Sequence, residues 1–139
     1  MDIIKRNTDY ALRAMLNLAN NYGKKLVSSR SISKEEKIPY QLTCKLMQKL
    51  NKAKLVKSTM GPKGGFELSN SPEKISLLEI IEIIQGPLSI NKCILGKYNC
   101  PNKKKCEIRP KLLEIQTYLG NHLHDLTLAD ITIKNKQGK

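Results

Sequence analysis

Residues 38–68 read IPYQLTCKLMQKLNKAKLVKSTMGPKGGFEL, and this stretch decides the fold. Pro39 stands where a helix can begin, because its missing N–H would be unbonded in a first turn anyway. From there to Ala53 the apolar residues Leu42, Leu46, Leu50 and Ala53, with Met47 alongside, recur at helical spacing. Gln41, Cys44, Lys45, Gln48, Lys49 and Lys52 fall on the opposite, cationic and amide-bearing face. Leu55 to Thr59 then reads as a strand, Met60-Gly61-Pro62-Lys63-Gly64-Gly65 as a glycine-rich turn, and Phe66-Glu67-Leu68 as the return strand.

Upstream, Ala11, Leu12, Met15, Leu16, Leu18 and Ala19 mark a first helix from Thr8, its expected N-cap, to about Tyr22, with Gly23 as a stop. Ser29 is the expected cap of a short second helix through Arg30, Ile32 and Lys37. Three helices followed by a hairpin is the order of a winged helix-turn-helix. Downstream, Ser76 and Glu79 form a capping box for an aliphatic-rich helix ending at Gly86-Pro87, and so many aliphatics predict burial on more than one side. A loop over 88–106 comes next, then a long amphipathic helix after Pro110 carrying Leu112, Leu113, Ile115, Leu119 and Leu123. Thr127 with Asp130 signals a short terminal helix, and the tail from Lys134 is expected to fray. The expected fold is mostly α with a small β-wing. A winged helix-turn-helix domain spans 1–86, a cysteine-bearing loop 87–107, the long and terminal helices 108–133, and a disordered tail 134–139.

A chain of 139 residues has room for one such domain and an appendage. One Phe, five Tyr and no Trp argue against an aromatic-lined substrate pocket or a base-stacking platform. A formal charge of +13 points to a polyanionic partner, with double-stranded DNA the first candidate. Residues 1–70 hold fourteen Lys and Arg against five Asp and Glu, so the N-terminal half is the expected polyanion face. No stretch approaches a membrane span, and the N-terminus lacks the order of a signal peptide, so a cytoplasmic location is expected. In that reducing compartment the four cysteines suit metal or redox chemistry better than disulfides.

In a helix-turn-helix the second helix presents its N-terminal side chains to base edges in the major groove. Here those are Tyr40, Gln41, Thr43 and Cys44, with Lys45 and Lys49 toward phosphates. Gln can pair bidentately with adenine and Thr can contact a thymine methyl, whereas Lys mainly supplies charge. In the wing, Lys57 and Lys63 supply further charge, while Gly64 and Gly65 let the backbone approach the DNA closely.

Cys93, Cys100 and Cys106 are separated by six and five residues, and the turn formers Gly96, Asn99, Pro101 and Asn102 between them allow the loop to bring three thiols together. Soft thiolates select zinc, copper(I) or iron-sulfur clusters, and Lys103, Lys104 and Lys105 place positive charge beside them. Zinc sites more often carry a close Cys-x-x-Cys pair, absent here, so an iron-sulfur cluster is favoured. The loop has no fourth cysteine, and Cys44 reads first as a half-buried filler.

Several motifs together carry a resemblance: Thr8-Asp9-Tyr10-Ala11-Leu12-Arg13, Ile38-Pro39, Leu46-Met47, Leu55-Val56, Gly61 with Gly64-Gly65-Phe66, Ile75-Ser76-Leu77, the cysteine triad and Thr127-Leu128-Ala129-Asp130. Over residues 2 to about 133 the chain resembles the Rrf-type bacterial winged-helix transcription regulators, and in particular the iron-sulfur members of the IscR, NsrR and RirA kinds. The resemblance implies a homodimer with the long helix as dimerisation helix, bound to a palindromic operator, with Cys93, Cys100 and Cys106 as cluster ligands. IscR-like members place a histidine three residues after the third cysteine, where this chain has Arg109. NsrR-like members use an aspartate near the start of the first helix, contributed by the partner subunit, and Asp9 falls there. A 4Fe-4S cluster with Asp9 as fourth ligand is therefore favoured, with 2Fe-2S the alternative. Met60 stands where the family usually has an arginine before the wing's first glycine.

The expected function is a transcriptional regulator, a repressor, whose operator affinity depends on a cluster that senses nitric oxide, iron or redox status. Neither enzymatic activity nor a small-molecule substrate is expected. The rivals are a zinc- or thiol-switched repressor on the same scaffold and a small redox or electron-transfer protein.

Overall fold

The computed structural model describes residues 2–96 and 99–132, and the tail expected over 134–139 lies outside them. Helix α1 spans Arg6–Asn20. It starts two residues before the expected Thr8 because the Thr8 hydroxyl is not a cap. Thr8 is fully buried and donates 2.6 Å to Gln85 Oε1, 77 residues away. Helix α2 spans Ser29–Glu36 and is capped one residue earlier than expected, by Ser28, whose hydroxyl accepts from Ser31 N–H at 3.1 Å. Lys37, in the left-handed region at φ 57°, ends it, and α3 (Tyr40–Lys52) begins directly after Pro39.

The buried stripe of α3 is Thr43, Leu46, Met47 and Leu50, a rotation of the expected one that brings Thr43 in and leaves Leu42 half-buried and Ala53 exposed. Strands β1 (Val56–Thr59) and β2 (Gly65–Leu68) pair antiparallel from Val56↔Leu68 to Thr59↔Gly65. Any Cβ on Gly64 would run into the Thr59 carbonyl, so this turn can close only with glycine there. Two backbone hydrogen bonds between Val27 and Phe66, 3.0 and 2.8 Å, tie the wing to the segment entering α2.

Helix α4 spans Leu77–Gln85, with the Ser76 hydroxyl accepting from Glu79 N–H as expected, and packs on α1, α3 and α5. Ile80 and Ile81 are buried, and Leu77, Ile83 and Ile84 cover the core edge. Helix α5 spans Ile108–Asp125, starting two residues before Pro110, whose missing N–H is harmless in a first turn. The expected Thr127–Asp130 capping box opens a short 3-10 turn, Leu128–Ile131.

One core joins these elements. Ala11, Met15 and Leu18 of α1, Ile32 of α2, Leu46, Met47 and Leu50 of α3, Val56 and Leu68 of the wing, and Ile80 of α4 are each nearly or fully buried. Each large aliphatic so buried contributes about 1.5–3 kcal/mol relative to exposure. Leu128, fully buried, carries the end of the chain into the same core, while Leu128 N–H donates to Ile75 O at 3.0 Å and Leu77 N–H to Leu126 O at 2.9 Å. α5 is thus anchored at its C-terminal end to the domain that holds α3. Among the described residues no helix is long and apolar enough to cross a membrane.

Candidate nucleic-acid interface and cysteine pocket

The first site is built by α2, α3 and the wing. Asn17, nearly buried on α1, donates 2.7 Å to Glu35 and 2.8 Å to Glu36, which fixes the end of α2 against the core helix. The buried Ile38 pins the turn between α2 and α3. α3 then presents Tyr40, Gln41, Lys45, Gln48, Lys49 and Lys52 to solvent, with Cys44 half-buried. Thr43 departs from expectation. It is 1% exposed and its hydroxyl donates to Pro39 O at 3.1 Å, so helical geometry turns it into the core and away from any base edge.

Arg30 supplies a contact that sequence reasoning missed. Its guanidinium lies 4.7 Å from the centre of the Tyr40 ring, holding that side chain at the helix start by a cation–π contact. An Arg in a polar helix carries no sequence signal for such a role. On the wing, Lys57 and Lys63 are exposed, Gly64 and Gly65 are half-buried, and Met60 at the tip is 92% exposed. A cationic, amide-bearing helix beside a cationic hairpin suits a phosphate backbone with a groove between its strands.

The second site is a cavity of about 260 Å3 between the cysteine loop and the start of α5. Cys93, Cys100 and Cys106 all line it, together with Lys103 and Arg109. All three are free thiols of intermediate exposure. The backbone N–H of Arg109 donates to Cys106 Sγ at 3.3 Å, a bond that favours the thiolate form of a sulfur by dispersing its charge. The three thiols thus share a cavity, but no three His, Cys, Asp or Glu side chains among the described residues stand close enough to hold a metal ion. Asp9 is outside this cavity, in the first turn of α1, half-exposed and paired with Arg13 at 3.1 Å.

Gln116 of α5, also missed by sequence reasoning, holds the loop's root. Its amide donates to Leu88 O at 2.7 Å and accepts from Ile90 N–H at 2.9 Å. On α5 itself no residue is buried, and Ile108, Ile115 and Tyr118 are 68%, 55% and 76% exposed. Pro110, Leu113 and Tyr118 border a shallow groove along this face.

The sequence profile of the Rrf2 family, described as an iron-dependent transcriptional regulator, matches residues 4–134. The chain belongs to the Rrf2 family. Among its Rrf2 relatives, a candidate HTH-type transcriptional regulator of Aquifex aeolicus is 32% identical, covering 88% of this chain and 85% of that protein. The HTH-type transcriptional regulator IscR of Aliivibrio salmonicida is 28% identical over 91% of this chain and 73% of its own length. Two solved Rrf2-type structures share the fold. CymR, the global cysteine regulator of B. subtilis, is similar at TM-score 0.76 and 29% identity over 94% of this chain and 96% of that one. T. potens IscR is similar at TM-score 0.72 and 27% identity over 98% and 88%. These relatives are transcription regulators rather than enzymes, and the fold is that of a winged helix-turn-helix Rrf2 regulator.

Proposed function

We propose that this Rrf2 protein is a homodimeric repressor whose affinity for a palindromic operator is controlled by an iron-sulfur cluster on Cys93, Cys100 and Cys106. The observation that carries the proposal is the shared cavity, in which three soft donors, two cationic side chains and a backbone N–H on Cys106 Sγ meet. That donor set fits an anionic thiolate-bound cluster. When bound, the cluster would supply an oxidant- and nitric-oxide-labile link among the three thiolates. Asp9 is the proposed fourth ligand, donated across the dimer, and its place in an exposed first turn is compatible with that role.

The protein's own groups supply the coupling. Gln116 fastens the loop's root to α5, and Leu128 fastens the end of α5 to the core beneath α3. The apolar face of α5 is the proposed dimer seam, so the order of the loop bears on the spacing of two recognition helices about one DNA turn apart.

A second reading, a thiol switch on the same scaffold, is favoured by the lack of metal-ion spacing among the described residues and by the likeness to CymR. S. aureus CymR, similar at TM-score 0.72 and 25% identity, has been solved in an oxidized form. Anaerobic purification separates the two. The cluster reading expects a brown protein with matching iron and sulfide, colour lost in Cys106→Ser, and an altered spectrum in Asp9→Ala. A colourless protein whose DNA affinity changes only on thiol oxidation would establish the switch instead.

A further inference from the structure

The last residue of α4, Gln85, makes three hydrogen bonds to the start of the chain. Its Oε1 accepts from Thr8 Oγ1 at 2.6 Å and from Lys5 N–H at 3.2 Å, and its Nε2 donates to Ile3 O at 2.8 Å. One side-chain amide therefore bonds two backbone groups ahead of α1 and a side-chain hydroxyl in its first turn, at separations of 77 to 82 residues. Its hydroxyl partner, Thr8, is fully buried and immediately precedes Asp9.

The clamp sits at the root of the cysteine loop. Gly86 adopts φ 90° and ψ -173°, a positive-φ conformation open chiefly to glycine, which turns the chain out of α4. Two residues on, Leu88 is buried, and at Leu88 O and Ile90 N–H the grip of Gln116 begins. The loop's root is thus held from two sides, to α5 by Gln116 and to α1 by Gln85. Between these grips lies only the turn at Gly86-Pro87.

We propose that Gln85 is a positioning residue that gives the cysteine loop a second connection to the DNA-binding half, besides the one through Gln116 and α5, by locking the end of α4 to the entrance of α1 through Thr8. This rests on the cluster-controlled reading above. With the clamp closed, a displacement of the loop acts on α1 and α4 as one body, and α3 packs against both. With the clamp cut, the last turn of α4 is free to absorb that displacement, as helix ends readily do.

The test measures DNA affinity of anaerobically purified dimeric protein before and after chelation of its iron, on a DNA site selected from a random pool by the wild-type protein. Four proteins are compared: wild type, Gln85→Ala, Thr8→Val and Thr8→Ser. Thr8→Val keeps the buried shape and removes the hydroxyl, whereas Thr8→Ser keeps the hydroxyl. A wild-type ratio of about 5- to 150-fold, the usual range of coupling between two sites, is expected to fall by about threefold or more in Gln85→Ala and Thr8→Val and to persist in Thr8→Ser. The cluster's visible spectrum is expected to be the same in all four. Coupling retained in both Gln85→Ala and Thr8→Val would overturn the clamp while leaving cluster control intact. A wild-type ratio of one would instead overturn cluster control itself.

Discussion

Helices α3 and α5 are both amphipathic, yet α3 buries four of its thirteen residues and α5 none of its eighteen. The apolar stripe of α3 closes against α1, α2, α4 and the first wing strand, so its partner is the rest of its own chain. The stripe of α5 meets the chain on one side only, against α4 and the cysteine loop, and its outer residues Ile115 and Tyr118 face solvent. Periodicity states that a helix needs a partner. It does not state whether the partner is cis or trans.

The largest effect that would sharpen this contrast is expected in the core. Leu50→Ala should cost about 2–5 kcal/mol in urea unfolding, with the same loss at every protein concentration. Next, Tyr118→Asp would put an unpaired carboxylate into the proposed seam. It should weaken pairing by about a hundredfold or more in sedimentation, equivalent to about 3 kcal/mol, while leaving the isolated chain folded. An undiminished dimer would break the comparison by moving the interface elsewhere. The smallest effects belong to the wet face of α3. Gln41→Ala should cost about 1–3 kcal/mol at one base pair of the selected site and relax the preference there. Lys49→Ala should instead weaken binding to all sequences alike and lower the salt slope by about one. A sequence-dependent loss in Lys49→Ala would reverse these two roles.

Local chemistry is legible in the sequence wherever it is completed locally. Ser76 caps its helix through a bond to Glu79 N–H, and Thr127 with Asp130 through a reciprocal pair, each three residues apart. Thr8 is likewise a hydroxyl residue ahead of a helical stripe, though with Ala11 three residues on, and its hydroxyl is claimed by Gln85 from the far side of the domain. Thr43 departs from its expected place for a related reason. Stripes through 42-46-50-53 and 43-46-47-50 are both helical, and only the packing of α3 selects the second. The wing is legible because glycine at 64 and 65 answers a backbone demand that this hairpin makes.

The cysteine pocket divides along the same line. Turn formers stand between Cys93, Cys100 and Cys106, and the three thiols line one cavity, as that pattern suggests. The groups that hold the loop in place are not readable, because Gln85 and Gln116 look like ordinary polar positions on helices until their distant partners are known. The amide side chain supplies both a donor and an acceptor, so a single Gln can stitch two backbone segments that share no sequence pattern.

The bare outer face of α5 also bears on dosage. Under the proposed pairing, the species that reads both half-sites forms from two copies, so below the pairing constant its concentration rises as the square of the amount of chain. A cell that doubles synthesis of this protein would then raise operator-competent dimer about fourfold. Such a helix makes the regulator's own abundance a second input, acting alongside whatever the thiols detect.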